Sequence, residues 1–190
     1  MSHPFDHGPS LLLDKPLCIT GFMGARVDAT AKAIAALSGL PVLELDRQIE
    51  HDSGKSIAHL VLREGQDKRR LLERAALDKA LSGRPRVIAL GDGALLDPRS
   101  AVAVSQRARL VYLEWSIIEL SAAVRERLAE SPGRYPELPG ADHISALGLQ
   151  PLLQERLPGY LRADLSVPGK GRPPWALARE ILAWLEPQLA

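Results

Sequence analysis

A chain of 190 residues, 46% apolar and 25% charged, holds enough material for one domain with its own hydrophobic core and leaves little room for a second. Its 24 lysines and arginines nearly balance 23 aspartates and glutamates, so the formal net charge of +1 gives no electrostatic ground for nucleic acid or an anionic membrane as partner. No run approaches the roughly 18 uninterrupted apolar residues of a membrane span.

In chain order, residues 1–14 read as a mobile N-terminal tail and 15–190 as a single domain. The opening MSHPFDHGPS lacks the basic and apolar regions of a secretory leader, and His3 and His7 alone make no metal site. The single Cys18 excludes an internal disulfide; in the run PLCIT it reads as a buried, idle thiol, and the expected location is cytoplasmic. LCIT (17–20), PVLEL (41–45), RVIAL (86–90), RLVYLE (109–114) and ADLSV (163–167) are the strand candidates. Between and after them lie helical patterns: ATAKAIAALSG with its closing Gly39, RRLLERAALDKALSG with its closing Gly83, SIIELSAAVRERLAE, and the terminal PWALAREILAWLEPQL. Strands spaced by helices imply right-handed parallel crossovers, hence a three-layer α/β fold with a central five-stranded parallel sheet. The Pro- and Gly-rich ESPGRYPELPGADH is the one long irregular insertion and places a lid at about 130–147. Trp115, Trp175 and Trp184 read as ordinary packing residues.

Ligands of open parallel sheets gather at the carboxyl ends of the strands. There the sequence reads GFMGARVDAT after the first strand, ELDRQIE after the second and GDGALLD after the third. With SGKSIAHLVLREG, Arg70 and Glu73 between them, Arg134 in the insertion and RLPGY further on, these segments resemble the shikimate kinases, small P-loop kinases that phosphorylate a hydroxyl of shikimate with MgATP. The resemblance implies a three-layer α/β/α P-loop kinase fold. It makes Gly21, Gly24, Arg26, Val27 and Asp28 the nucleotide loop and puts Glu44 at the family's magnesium-associated acid. Asp46 becomes the carboxylate that holds the substrate hydroxyls and helps take up the proton, and Arg134 the lid cation, both catalytic in an active enzyme. Arg70 and Arg156 become the pair gripping the substrate carboxylate, with Gly91 and Gly93 left from a glycine triplet.

The departures fall on the chemistry. A loop G-x-x-x-x-G-K-[ST] works because glycines let backbone N–H groups converge on the phosphates, the lysine neutralises the β and γ oxygens and the hydroxyl ligates magnesium. Here the second glycine is Arg26, the lysine Val27 and the hydroxyl Asp28, so the Walker A motif is degenerate. A Cβ at Arg26 is not expected to take cheaply the positive φ that glycine permits. Asp28 puts a carboxylate at a helix N-terminus, where it is expected to accept from the orphan N–H groups and close the phosphate site; Lys32, one turn on, is expected to pair with it. On the acceptor side the middle glycine is Asp92, an apolar wall position is Arg69 and an aromatic position is Val61.

The expectation is a pseudokinase of this family, with ATP binding lost or weakened, no cofactor, a residual pocket for a small carboxylate or shikimate-like ligand, and a protein partner as another use of the scaffold. The competing reading is an atypical kinase that uses Mg-ATP and has rebuilt its phosphate clamp from Arg26, Lys32 and Arg134.

Overall fold

A computed structural model of the chain describes residues 11–131, 135, 136, 138 and 144–189. His3, His7, Arg134 and half of the expected lid lie outside the described residues.

Strand β1 (Leu17–Thr20) is wholly buried and lies at the centre of a five-stranded sheet of order β2-β3-β1-β4-β5, all pairings parallel. Its partners are β3 (Val87–Ala89) and β4 (Arg109–Glu114), while β2 (Val42–Glu44) and β5 (Leu165–Pro168) form the edges. Continuous apolar runs suit strands covered on both faces. The register sets Leu17 beside both Val87 and Arg109, so the strands end level and the segments after β1, β2 and β3 meet at one edge.

Helices α1 (Val27–Ser38) and α8 (Pro174–Leu185) pack together; α4 (Gly65–Ser82) packs on α2 (Leu45–Ser53) and α5 (Pro98–Arg107); α6 (Ile117–Glu130) packs on α7 (Ala146–Tyr160). The short α3 (Ile57–His59) runs into a π-helical turn over Leu60–Glu64, ahead of α4. Local chemistry fixes several starts. Ser116 and Glu119 form a reciprocal capping box on α6, and Asp97 caps α5 ahead of Pro98.

Several boundaries differ from the sequence expectation. Leu45 opens α2 instead of ending β2, since the strand passes into the helix without a loop. Helix α4 begins at Gly65, four residues before the apolar periodicity shows it, and α8 stops at Leu185, where a 3₁₀ turn carrying Pro187 takes over. Of the expected tail, Leu11 and Leu13 pack against the core and Asp14 pairs with Arg109. Cys18 is buried, which pushes its thiol up to about 12. Trp115 and Trp184 pack on the core while Trp175 is 57% exposed. No helix among the described residues is long and apolar enough to cross a membrane.

Candidate functional site

The ends of β1, β2 and β3 open into a cleft of about 540 Å³, bounded by the loop after β1, the head of α2, the turn after β3 and one face of α6.

The segment expected as the nucleotide loop runs from β1 into α1 along one side of the cleft. Arg26 takes φ 58° and ψ 36°, the left-handed region, and is the N-cap of α1; among the described residues no other non-glycine has positive φ. The expected steric barrier is therefore met rather than avoided, at about 1–2 kcal/mol. Tertiary packing holds the residue there. Gly24, φ 90°, is pressed against Leu120 and Ala123 of α6, and Ala25 N–H donates to Phe22 O at 2.9 Å. Val27 packs back on the core, its Cγ2 3.2 Å from where a Cβ on Gly21 would stand. Arg26 makes no side-chain cap, and Asp28 sits in the first turn with its carboxylate 3.7 Å from Arg127 Nη2 on α6.

Lys32 is not on Asp28. Its Nζ lies 3.1 Å from Glu44 Oε2, which Arg47 Nε also approaches at 3.3 Å. The head of α2 turns Glu44 toward α1, and its carboxylate takes Lys32 in place of the i,i+4 partner Asp28. Glu44 is thus neutralised by side chains, and among the described residues no group of three or more His, Cys, Asp or Glu could hold a metal ion. The donor set at the loop has neither the ammonium nor the hydroxyl that a magnesium-bound triphosphate takes from such a loop, and it adds a carboxylate.

The residues expected on the acceptor side lie together. Asp46, in the first turn of α2, and Glu73 of α4 both face Gly91: a Cβ there would stand 2.9 Å from Asp46 Oδ1 and 2.9 Å from Glu73 Oε1. Both oxygens are buried without a hydrogen-bond partner. Burial raises the Asp46 carboxyl from 3.8 to about 7; Arg69 opposes this, while Glu73, Asp92 and Glu50 add to it. The folded state therefore holds an extra proton between those values, and stability falls as pH rises through that window, levelling off above about 7. Asp46→Asn cannot ionise. Its stability advantage over the wild type is expected to grow by more than about 1 kcal/mol between pH 5 and pH 8, since one pKa unit is worth about 1.4 kcal/mol. Urea unfolding at the two pH values measures this, and a flat difference would show that Asp46 is solvated.

Arg70 Nη1 bonds Glu73 Oε2 at 2.6 Å and its guanidinium fills the space beside Gly93, which no side chain could share. Arg156 of α7 is 4% exposed and lies over the Phe22 ring, 5.3 Å from its centroid, with Nη2 3.3 Å from Asp92 Oδ2. Arg69 Nη2 approaches Asp92 Oδ1 at 3.9 Å. Tyr160 donates its hydroxyl to the Asp92 carbonyl and stacks on Tyr112, ring centroids 5.0 Å apart. Asp46, Arg70, Gly91, Gly93 and Arg156 thus meet in one place. The sequence did not single out Arg127, hidden in an ordinary helical pattern, or Tyr160 as a clamp on the turn after β3.

A family model described as shikimate kinase matches residues 23–186. The shikimate kinase of Rhizobium leguminosarum bv. trifolii is 29% identical over 184 residues, 96% of this chain and 90% of that one. That of Thermobifida fusca is 33% identical over 147 residues, 77% of this chain and 80% of that one. Among solved structures, shikimate kinase from Acinetobacter baumannii in complex with shikimate superposes with a TM-score of 0.79 at 23% identity, covering 94% of this chain and 96% of that one. A gluconokinase from Sinorhizobium meliloti follows at 0.56 and 19%, covering 94% and 95%. The fold is thus the three-layer α/β/α arrangement of the P-loop kinases, and a match running from Met23 to Glu186 shows that this chain belongs to the shikimate kinase family.

Proposed function

We propose that this chain is a non-catalytic member of its family, a pseudokinase whose cleft takes a small molecule but does not bind MgATP productively. The observation that carries this reading is the first turn of α1: Arg26 stands in the left-handed conformation that glycine favours, Val27 packs inward and Asp28 presents a carboxylate that Arg127 already meets. Loss of one preorganised donor to a developing charge typically costs about 100-fold to 1000-fold in rate. Here lysine and hydroxyl positions are both changed and a like charge is added. A helix N-terminus favours an anion, and this one carries its own.

The acceptor half supports a small-molecule role. Asp46 lines the cleft, Arg70 and Arg156 reach the turn after β3 beside it, and the solved relative from Acinetobacter baumannii is in complex with shikimate.

Thermal unfolding with MgATP tests the reading. A nucleotide bound 100-fold below its working concentration adds about 2.7 kcal/mol, which moves the Tm of a chain this size by roughly 5–10 °C. The expected shift at 1 mM MgATP, on the order of a cellular level, is nil. A rise of several degrees, absent with magnesium alone, would overturn the proposal.

A further inference from the structure

Arg69 and Arg156 are 3% and 4% exposed; Arg69 lines the cleft, and Arg156 reaches Asp92 of the turn after β3, which lines it too. Two guanidiniums withdrawn from water close together demand an anion, and a carboxylate is the anion whose two oxygens suit two forks. The chain supplies one. Asp92 Oδ1 faces Arg69 and Oδ2 faces Arg156, at 3.9 and 3.3 Å. We infer that Asp92 is a built-in carboxylate ligand of this arginine pair, occupying the position a free organic acid would need and making the cleft select against acids.

The turn that carries Asp92 is fixed on every side. Its carbonyl accepts the Tyr160 hydroxyl, Gly91 is pressed by Asp46 and Glu73, and Gly93 by Arg70. The tethered carboxylate therefore acts at an effective concentration of at least millimolar, against which any free acid must compete. The remaining polar groups of the cleft, the buried Asp46 among them, leave hydroxyls as the function it can still recognise. The inference shares this cleft with the proposed loss of phosphotransfer but does not depend on it, and no nucleotide enters its test.

The test uses the full chain and two carboxylate probes, formate and shikimate, each against chloride at equal ionic strength. Asp92→Ala is expected to unfold about 5 °C or more below the wild type, the size expected when one partner of a buried ion pair is removed. Formate at about 0.1 M should recover at least half of that loss, and shikimate should raise the variant's Tm while leaving the wild type unmoved. Asp92→Asn, which keeps the shape and loses the charge, should show the same ranking. Where Asp92→Ala does not accumulate as soluble protein, refolding from urea in formate and not in chloride supports the inference; refolding in neither overturns it. A wild type stabilised by shikimate as strongly as the variant, or a variant indifferent to formate, would also overturn it.

Discussion

Replacing Arg156 by leucine is expected to lower the stability of this chain by about 3–5 kcal/mol, the range found when one partner of a buried ion pair is removed. In a chain this size that is a fall in Tm of roughly 6–20 °C. The guanidinium is 4% exposed, packs over the Phe22 ring and neutralises Asp92, so the substitution removes a cation–π contact and leaves a carboxylate nearly out of water with Arg69 at 3.9 Å. Leucine fills much of the volume, which keeps the cavity contribution small. Removing the charge on both sides changes the sign of the argument. Arg156→Leu with Asp92→Ala is expected to recover at least half of the single variant's loss, because a buried pair exchanged for apolar residues is often close to neutral. A urea-unfolding double-mutant cycle reads the coupling directly. Single and double variants of equal stability would mean that Arg156 acts through packing alone and that Asp92 is solvated.

The fold was legible where burial is two-sided. LCIT and RLVYLE run as strands over the residues their apolar character marks, because nothing at either end competes with the sheet. PVLEL misled at its last residue, since Leu45 is as apolar in the first turn of a helix as in a strand and only the fold decides which. Helix α7 escaped for a different reason: Pro151 and Pro158 stand inside it, and local chemistry reads each as a break. Residues 146–160 hold the helix because Leu149, Gly159 and Tyr160 are buried, with Gly159 lying directly against Leu95. Tertiary packing overrides the local signal there, and with it comes Arg156.

The site was legible as a set of departures and not as a set of partnerships. Sequence register brought out Arg69 and Asp92 separately, each as a change against the family pattern. Their meaning appears only when the turn after β3 and the start of α4 are side by side, where each charge answers the other. Lys32 shows the converse. A spacing of four along α1 favours Asp28, but Glu44, distant in sequence, lies closer in space, and Arg127 meets Asp28 from α6. One-dimensional spacing weighs only neighbours within a helix, whereas these ion pairs join separate elements. The backbone of Arg26 was the least predictable feature, since propensity argues against φ 58° and tertiary packing, with Gly24 wedged under α6, holds it there.

Restoring the four departed positions together, Arg26→Gly, Val27→Lys, Asp28→Ser and Asp92→Gly, is expected to produce ATP-dependent phosphorylation of shikimate at least about 100-fold above the wild type, the return from a single preorganised donor taken as the floor. Arg26 already stands in the left-handed conformation that glycine favours. Arg26→Gly thus relieves about 1 kcal/mol of left-handed strain without moving the chain, a gain that urea unfolding of the single variant can measure. Lysine gained and a carboxylate lost outweigh the arginine given up, so the loop becomes more positive, and Arg127 is released from Asp28 to face a phosphate. The halves separate cleanly. The three loop changes alone should confer a Tm response to MgATP and none to shikimate, and Asp92→Gly alone the reverse. A revertant that binds MgATP but transfers nothing would place the fault on the acceptor side, where Arg69 stands at an apolar wall position and would remain a buried cation beside the bound acid. A revertant that ignores MgATP would show that the first turn of α1 is not what keeps the nucleotide out.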